Sequence, residues 1–320
     1  MKFSAGAPIT VPVGRFAPSP TGPLHFGSLL AAVASCLEVG AGTWLVRVED
    51  VDRPRTVAGM SAHQLETLAA YGFKWSTSGV VRQSERSALY QTALERLIST
   101  GLVYPCTCTR SMLANDADTQ VGVDGARIYP GHCRHWQPGD PVPEKAAWRF
   151  RVGGVDDPPI VFHDRIQGDQ AQQLAREVGD FVIKRADGCF TYQLAVVVDD
   201  LAQGVTQVVR GADLLDSTAR QIALVEALNG RVPTYAHIPI VTNPAGEKLS
   251  KQTRAAALPT VGEQARVAAL WHALSFLGQS PPDALKRGGV ETLWQWAAVH
   301  WSIERVPKQH SGGAFPKIPE

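Results

Sequence analysis

Apolar side chains recur along the chain at two spacings, which predict alternating strands and helices. "VGRFAPS", from residue 13, predicts a short strand, and "GTWLVRVEDVD", from residue 42, predicts a buried parallel strand that ends in acidic residues. Between them, apolar residues stand at helical spacing, namely Leu29, Leu30, Val33 and Leu37. This alternation predicts an α/β fold with a doubly wound, parallel Rossmann-type sheet.

The pattern continues beyond residue 58. "AGMSAHQLETLAAYGF" and "SERSALYQTALERLISTG" predict helices, the second with Ser84 as N-cap and Gly101 as C-terminal glycine. Strand patterns resume in "AAWRFRV", "PIVFHD" and "DFVIKRADGCFTYQLAVVVDD", and "QHSGGAFPKIPE" predicts a loose tail.

Polar sequence with Gly and Pro interrupts this alternation from about residue 104 to 145. We therefore predict an inserted subdomain over residues 104–180, between the two halves of a nucleotide-binding catalytic domain at 1–103 and 181–252. Residues 253–320 would form a short helical C-terminal segment and tail.

The composition is that of an ordinary globular protein of 320 residues, with 44% hydrophobic and 19% charged side chains. Its 31 basic and 30 acidic residues nearly cancel, so a nucleic-acid surface would have to be a local patch. No apolar run reaches the roughly 18 residues of a membrane span, and the N-terminus lacks the long apolar core of a signal peptide. We expect a cytoplasmic monomer without membrane contact.

The loop before His25 has the features of an anion-binding site. Prolines and glycines bend "GRFAPSPTGPLHFGS", so His25 to Ser28 should stand where the loop becomes a helix. Unpaired backbone N–H groups and the helix dipole favour a phosphate there.

Charged residues stand where three strands are predicted to end: Arg15, Glu49 with Asp50, and Arg210. Ligands of doubly wound sheets bind at the carboxyl ends of the strands. Two arginines and a glutamate suit an amino acid with a second carboxylate, because guanidinium pairs with carboxylate and carboxylate pairs with ammonium. Taken singly, each of these charges is more typical of a solvated or salt-bridged surface residue.

The five cysteines, at positions 36, 106, 108, 133 and 189, are too few and too irregular for a disulfide scaffold. Cys106, Cys108 and Cys133 are close enough in sequence to form a metal site, although they would also serve as small buried hydrophobes. Zinc usually takes four ligands. The candidates for the fourth are Tyr129, His132 and His135, of which the histidines are the usual choice.

A basic loop, "NPAGEKLSKQTRAA", follows the last predicted strand. Its Lys248, Ser250 and Lys251 could contact a polyphosphate and neutralise the charge that develops on a leaving group. A solvated basic loop is the alternative. The chain has no G-x-x-x-x-G-K-[ST] motif, which excludes a P-loop.

Together these segments resemble the class I aminoacyl-tRNA synthetases. "PSPTGPLHFGS" resembles their HIGH signature in its glutamyl form, with Ser28 in place of the second His, and "KLSKQ" resembles KMSKS with Leu249 and Gln252 in place of Met and Ser. "RVEDVDRPR" and "VVVDDLAQGVTQVVRGADLLDSTARQ" are similar to the matching segments of glutamyl-tRNA synthetases, in the same order. The resemblance spans about residues 14 to 252.

Two departures indicate one branch of that family. Too little sequence follows Gln252 for the anticodon-binding region of glutamyl-tRNA synthetases. The cysteine arrangement with Tyr129 resembles the zinc site of glutamyl-Q-tRNA(Asp) synthetases, the short paralogues that put glutamate on the queuosine base of tRNA(Asp). This resemblance implies Tyr129 as the fourth ligand of one structural Zn²⁺, beside Cys106, Cys108 and Cys133.

The resemblance also implies the chemistry and the residues that perform it. ATP with Mg²⁺ would activate L-glutamate to glutamyl-adenylate, and the glutamyl group would pass to queuosine-carrying tRNA(Asp). The implied catalytic residues are His25, Lys248 and Lys251. The implied ATP-binding residues are His25, Gly27, Ser28, Ser250 and Lys251. The implied glutamate-binding residues are Arg15, Phe16, Ala17, Pro18, Ser19, Glu49, Tyr192 and Arg210.

Three alternatives remain at the level of sequence. A truncated glutamyl-tRNA synthetase would charge tRNA(Glu), and a nucleotide adenylyltransferase of similar fold shares the His-x-Gly signature. A non-enzymatic RNA-binding protein would not need His25 or the lysine loop, and both are present.

Overall fold

The computed structural model describes residues 11–116, 119–123, 125, 127–241 and 256–308, with the backbone of residues 311–312. Its strands are, in chain order, β1 (Val13–Phe16), β2 (Thr43–Val48), β3 (Val81–Arg82), β4 (Val103–Cys106), β5 (Ala147–Phe150), β6 (Ile160–Asp164), β7 (Gly168–Gln172), β8 (Phe181–Lys184), β9 (Gln207–Gly211), β10 (Thr234–Ile238), β11 (Ile240–Val241) and β12 (Ser311–Gly312). Its α-helices are α1 (Phe26–Val39), α2 (Met60–Ala70), α3 (Ser87–Ser99), α4 (Arg110–Ala114), α5 (Leu174–Glu177), α6 (Tyr192–Ala202), α7 (Thr218–Ala227), α8 (Glu263–Phe276) and α9 (Val290–His300).

Two groups of parallel strands form the centre of the fold. The first has the order β1-β2-β3, and in the second β9, β10 and β6 run parallel while β7 pairs antiparallel at the edge. The groups meet where the Thr206 backbone N–H donates to the Val13 carbonyl at 2.9 Å. The predicted parallel sheet is therefore confirmed, and it brings the carboxyl ends of β1, β2 and β9 to one region.

Alternate residues of the strands pack against helices on opposite faces of this sheet. Trp44 of β2 and Val209 of β9 belong to the apolar core that contains α1 and α8. Their neighbours Leu45 and Val208 instead pack with Ile222 of α7. Helices therefore cover both faces, as a doubly wound sheet requires.

A separate antiparallel sheet, of order β4-β5-β8, carries the cysteine-rich region. The predicted boundary at residue 180 falls directly before β8. Across that boundary, β8 pairs with β5, which precedes it in sequence. The domain boundaries at residues 103, 180 and 252 stay predictions.

Two local predictions are wrong. "YQLAVVVDD" is not a strand but most of α6, in which every residue from position 194 to 200 is buried. Residues 194–198 are an unbroken apolar run on a buried helix, and such a run with three valines imitates a buried strand. Ser84 does not cap α3, because that helix begins at Ser87. The hydroxyl and backbone N–H of Ser84 instead donate hydrogen bonds to Asp50. Within the described residues no helix is long and apolar enough to cross a membrane.

Candidate active site and cysteine cluster

The loop after β1 ends at His25, which caps the N-terminus of α1. His25 Nδ1 accepts a hydrogen bond from the Ser28 backbone N–H at 3.4 Å, and the Ser28 hydroxyl accepts one from the His25 backbone N–H at 3.4 Å. A Cβ added at Gly27 would lie 3.1 Å from His25 Cε1, so a side chain there would push the imidazole aside by a few tenths of an ångström. Gly27 thus keeps His25 in place and leaves the backbone open to a ligand.

Three of the predicted ATP-contacting residues, Lys248, Ser250 and Lys251, lie outside the described residues. The described chain resumes at residue 256. There the Leu258 backbone N–H donates to the Leu24 carbonyl at 2.9 Å, and Ala257 forms a β-bridge with His25. The residues that follow the lysine segment are therefore placed beside the start of α1.

Charged side chains of β1, β2 and α6 form a buried network at the carboxyl edge of the sheet. Arg15 Nε donates to both carboxylate oxygens of Asp200, at 3.2 and 3.3 Å. Arg47 Nη1 lies 2.7 Å from the same carboxylate, and its Nη2 lies 3.6 Å from Glu49 Oε1. Burial would raise the pKa of Asp200, but Arg15 and Arg47 lower it, so Asp200 is the anion that holds both guanidinium groups.

This network leaves hydrogen-bonding capacity for a ligand. Among the described residues, Arg15 uses only Nε, and its two terminal nitrogens make no hydrogen bond. Burial raises the pKa of Glu49 to about 7, against the opposing effect of Arg47 and Arg15. An ammonium group beside Glu49 would favour its charged form, and the Arg15 terminal nitrogens could bind a carboxylate.

Arg210, at the end of β9, is held by hydrogen bonds on three sides and is only 5% exposed. Nε donates to His237 at 2.9 Å and Nη1 to Gln221 at 2.7 Å. Nη2 donates to the Thr218 hydroxyl at 2.9 Å and to the Leu214 carbonyl at 3.3 Å. Since a guanidinium has five N–H donors, one N–H on Nη1 remains for a ligand.

His237 of β10 connects Arg210 to Asp164 at the end of β6. His237 Nδ1 lies 2.6 Å from Asp164 Oδ2, and both side chains are fully buried. Burial lowers the pKa of His237 to about 4, although Asp164 opposes this. The imidazole is therefore neutral at pH 7, with Nδ1 as donor to Asp164 and Nε2 as acceptor from Arg210.

The remaining predicted glutamate-binding residues border these charges. Tyr192 is the first residue of α6; burial raises its pKa, and the charges of Arg210, Glu49 and Arg15 all act on it. The Phe16 ring points into the core, where it stacks on Trp44 at 6.4 Å, so only its backbone can face a ligand.

The loop at residues 17–19 is fixed by its carbonyl groups. Pro18 accepts a hydrogen bond from the Glu49 backbone N–H at 3.0 Å, and Ser19 accepts one from Gln64 Nε2 at 3.1 Å. Ala17 precedes them and is half-buried. The first bond ties the loop directly to the end of β2.

The three clustered cysteines converge on one point. The Sγ atoms of Cys106, Cys108 and Cys133 all lie within 4.8 Å of one another, with 3.8 Å between Cys108 and Cys133. The Tyr129 hydroxyl lies 3.3 Å from Cys106 Sγ and 3.5 Å from Cys108 Sγ. Thiolates about 2.3 Å from a tetrahedral zinc ion would lie about 3.8 Å apart, so the spacing of this donor set fits zinc.

The two histidines proposed as alternatives face elsewhere. His132 Nε2 pairs with Asp116 at 2.8 Å, and the exposed His135 bonds to the His132 carbonyl through Nδ1. Arg149 instead lies against the cluster, with Nε 3.3 Å from Cys106 Sγ and its guanidinium carbon 3.9 Å from the centre of the Tyr129 ring. The guanidinium of Arg149 is thus a hydrogen-bond donor to the sulfur of Cys106.

Comparison with known families and structures agrees with this geometry. The family model described as "tRNA synthetases class I (E and Q), catalytic domain" matches residues 11–284. A protein of Aromatoleum aromaticum named glutamyl-Q tRNA(Asp) synthetase is 53% identical over 308 residues, which is 95% of this chain and 94% of that protein. A protein of Thiobacillus denitrificans with the same name is 54% identical over 92% of this chain and 95% of its own length.

Solved structures include a longer relative of the same fold. The crystal structure of a glutamate-tRNA synthetase from Elizabethkingia anophelis superimposes with a TM-score of 0.76 at 25% identity, and covers 96% of this chain but 68% of its own. A glutamate tRNA ligase from Elizabethkingia meningosepticum, solved in complex with its amino acid, gives a TM-score of 0.74.

Proposed function

Because the chain belongs to the class I tRNA synthetases of the glutamate and glutamine group, we propose that it activates L-glutamate with ATP and transfers the glutamyl group to the queuosine base of tRNA(Asp). The observation that carries this proposal is the buried set of charges around Arg15, Glu49 and Arg210 beside the helix start at His25. The names of the close relatives support queuosine-carrying tRNA(Asp) as the acceptor.

The charges assign parts of glutamate to individual groups. Glu49 takes the ammonium group, and the free terminal nitrogens of Arg15 bind one carboxylate in a bidentate manner. Arg210 contributes its remaining N–H, and Tyr192 its hydroxyl, to the rest of the pocket. Glutamine lacks the second negative charge and would leave Arg210 without an anion, because its hydrogen-bond acceptors in the protein are neutral, so glutamine is rejected.

Activation needs a phosphate site next to this pocket. The start of α1, with His25, Gly27 and Ser28, holds ATP phosphates, and a glutamate carboxylate oxygen attacks the α-phosphorus. Pyrophosphate leaves with its electron pair, and glutamyl-adenylate remains. Lys248 and Lys251 neutralise the charge that develops on the leaving group, and Ser250 adds a contact. Mg²⁺ is held mainly by phosphates and water.

Transfer completes the reaction. A nucleoside hydroxyl attacks the acyl carbon of the adenylate, the bond to the AMP oxygen breaks, and the hydroxyl proton leaves with general-base assistance from solvent or the phosphate. No covalent intermediate with the protein is required.

We assign one structural Zn²⁺ to Cys106, Cys108, Tyr129 and Cys133. When bound, the ion would join β4 to the loop that carries Cys133 and stiffen that region. Burial raises the pKa of Tyr129 and also that of Cys108, the latter to about 11, so the bound cation must offset this penalty.

Glutamate-dependent exchange of labelled pyrophosphate into ATP tests the activation step. We expect exchange with glutamate and a rate at least ~100-fold lower with glutamine, because a buried unpaired charge costs several kcal/mol. Equal rates with both amino acids would contradict the assignment of the arginines to the carboxylates of glutamate. Exchange with neither amino acid would contradict the proposed activation step.

A further inference from the structure

The two arginines of the glutamate pocket differ in the charge of their partners inside the protein. Arg15 is paired with an anion, because its Nε lies 3.2 Å from the carboxylate of Asp200. Arg210 instead donates to four neutral acceptors, which are His237 Nε2, Gln221 Oε1, the Thr218 hydroxyl and the Leu214 carbonyl. Because Arg210 is buried, neither these acceptors nor bulk water balances its charge.

Gln221 of α7 is the acceptor whose charge a single substitution can change at nearly constant shape. Its Oε1 lies 2.7 Å from Arg210 Nη1, and its side chain is only 3% exposed. A carboxylate at this position would give Arg210 a buried counter-ion in a charge-assisted hydrogen bond. The neutral amide orients the guanidinium and leaves its charge available to a ligand.

Neighbouring side chains fix the orientation of the Gln221 amide. Gln221 Nε2 donates to Gln193 Oε1 at 3.0 Å, and Gln193 Nε2 donates to the Ser217 hydroxyl at 3.2 Å. Since Nε2 has an acceptor in Gln193, Oε1 is the atom that faces Arg210. Burial raises the pKa of Tyr192, and Gln221 is among the groups that oppose this, so Gln221 also lies beside a predicted glutamate-binding residue.

We propose that Gln221 determines the preference for glutamate over glutamine, because it orients Arg210 without neutralising it. This inference rests on the proposed function, in which Arg210 contacts the part of glutamate that Arg15 and Glu49 do not bind. Glutamate brings a second carboxylate that balances the charge of Arg210, whereas the neutral amide of glutamine does not. Gln221 is thus a positioning residue that sets specificity through Arg210.

Gln221→Glu in the full-length protein tests this proposal. Affinities for L-glutamate and L-glutamine are measured by calorimetry without ATP, and pyrophosphate exchange is measured with each amino acid. We expect the ratio of glutamate to glutamine affinity to fall at least ~100-fold, because the introduced carboxylate neutralises Arg210 and repels the substrate carboxylate. The Gln193 amide can rotate to donate to this carboxylate and accept from Ser217, so the hydrogen-bond network stays satisfied.

Gln221→Leu is the matched control, because leucine removes the acceptor without adding a charge. It should weaken glutamate binding but keep the ratio of the two affinities within about tenfold of the wild type, since Arg210 still lacks an anion. Thermal melting checks that each variant is folded. If Gln221→Glu does not fold, Gln221→Leu still decides, because the proposal requires this variant to prefer glutamate.

Two results would overturn the proposal. One is an unchanged ratio in folded Gln221→Glu, and the other is a ratio that falls equally in Gln221→Leu, which would mean that Gln221 acts through packing alone. The calorimetry separates this proposal from the proposed function. A wild type that binds glutamate but exchanges no pyrophosphate would refute the activation step alone, and the measured affinities would still test Gln221.

Discussion

Removal of the His237 imidazole tests whether Arg210 is positioned through a neighbour. His237→Asn keeps a side-chain N–H near Asp164 but is too short to accept the hydrogen bond from Arg210 Nε. That donor would then be unsatisfied in a site where Arg210 is only 5% exposed. Loss of a hydrogen bond to a charged group costs about 1.5 to 3 kcal/mol, which corresponds to a glutamate affinity about 10- to 150-fold weaker.

The assay is pyrophosphate exchange with glutamate and ATP varied separately. We expect KM for glutamate to rise by this factor, while KM for ATP changes little because the start of α1 is untouched. His163→Asn is the matched control: His163 neighbours Asp164 in sequence, but it pairs with Asp169 at the surface. A glutamate KM within twofold of wild type for His237→Asn, with an intact fold, would refute the positioning argument. A variant that only lost stability would contain less active protein with unchanged KM.

Three further predictions follow from individual groups. Cys133→Ser should lower bound zinc, measured by elemental analysis, from about one equivalent to below half, and it should lower the melting temperature. Cys189→Ser, which lies outside the cluster, should change neither quantity. Because Glu49 must be ionised to bind ammonium and its pKa is about 7, KM for glutamate should rise as pH falls through 7; a flat profile between about pH 6 and 8 would contradict this role. Lys251→Ala should keep the fold and lose exchange activity, and undiminished exchange would remove that lysine from the mechanism.

The convergence of charges at the sheet edge could be predicted because it depends on local pattern. Arg15 and Arg210 stand near the carboxyl ends of their strands and Glu49 directly follows one, and parallel strands bring their carboxyl ends to one side of a sheet. The cysteine cluster could be predicted equally well, since the spacing of the three cysteines alone indicates a metal site. When residues are close in sequence, or when strand order brings them together, their proximity can be predicted without knowledge of side-chain packing.

The partners that hold these charges could not be predicted. Arg47 interrupts the apolar run "TWLVRV", and a charge at such a position indicates a buried partner, but nothing local identifies Asp200 as that partner. The pairing of Asp164 with His237 joins β6 to β10 and depends on the strand order of the sheet. The assignment of α6 failed for a related reason, because complete burial removes the periodicity that separates helix from strand.

The central claim is tested most directly by transfer of labelled glutamate, with ATP and magnesium, to three RNAs: queuosine-containing tRNA(Asp), the same tRNA without queuosine, and tRNA(Glu). We predict label on the first RNA alone, attached through an ester bond to the modified base. Label on tRNA(Glu) instead would identify a protein that charges the tRNA for translation, and label on none of the three would contradict glutamate transfer altogether.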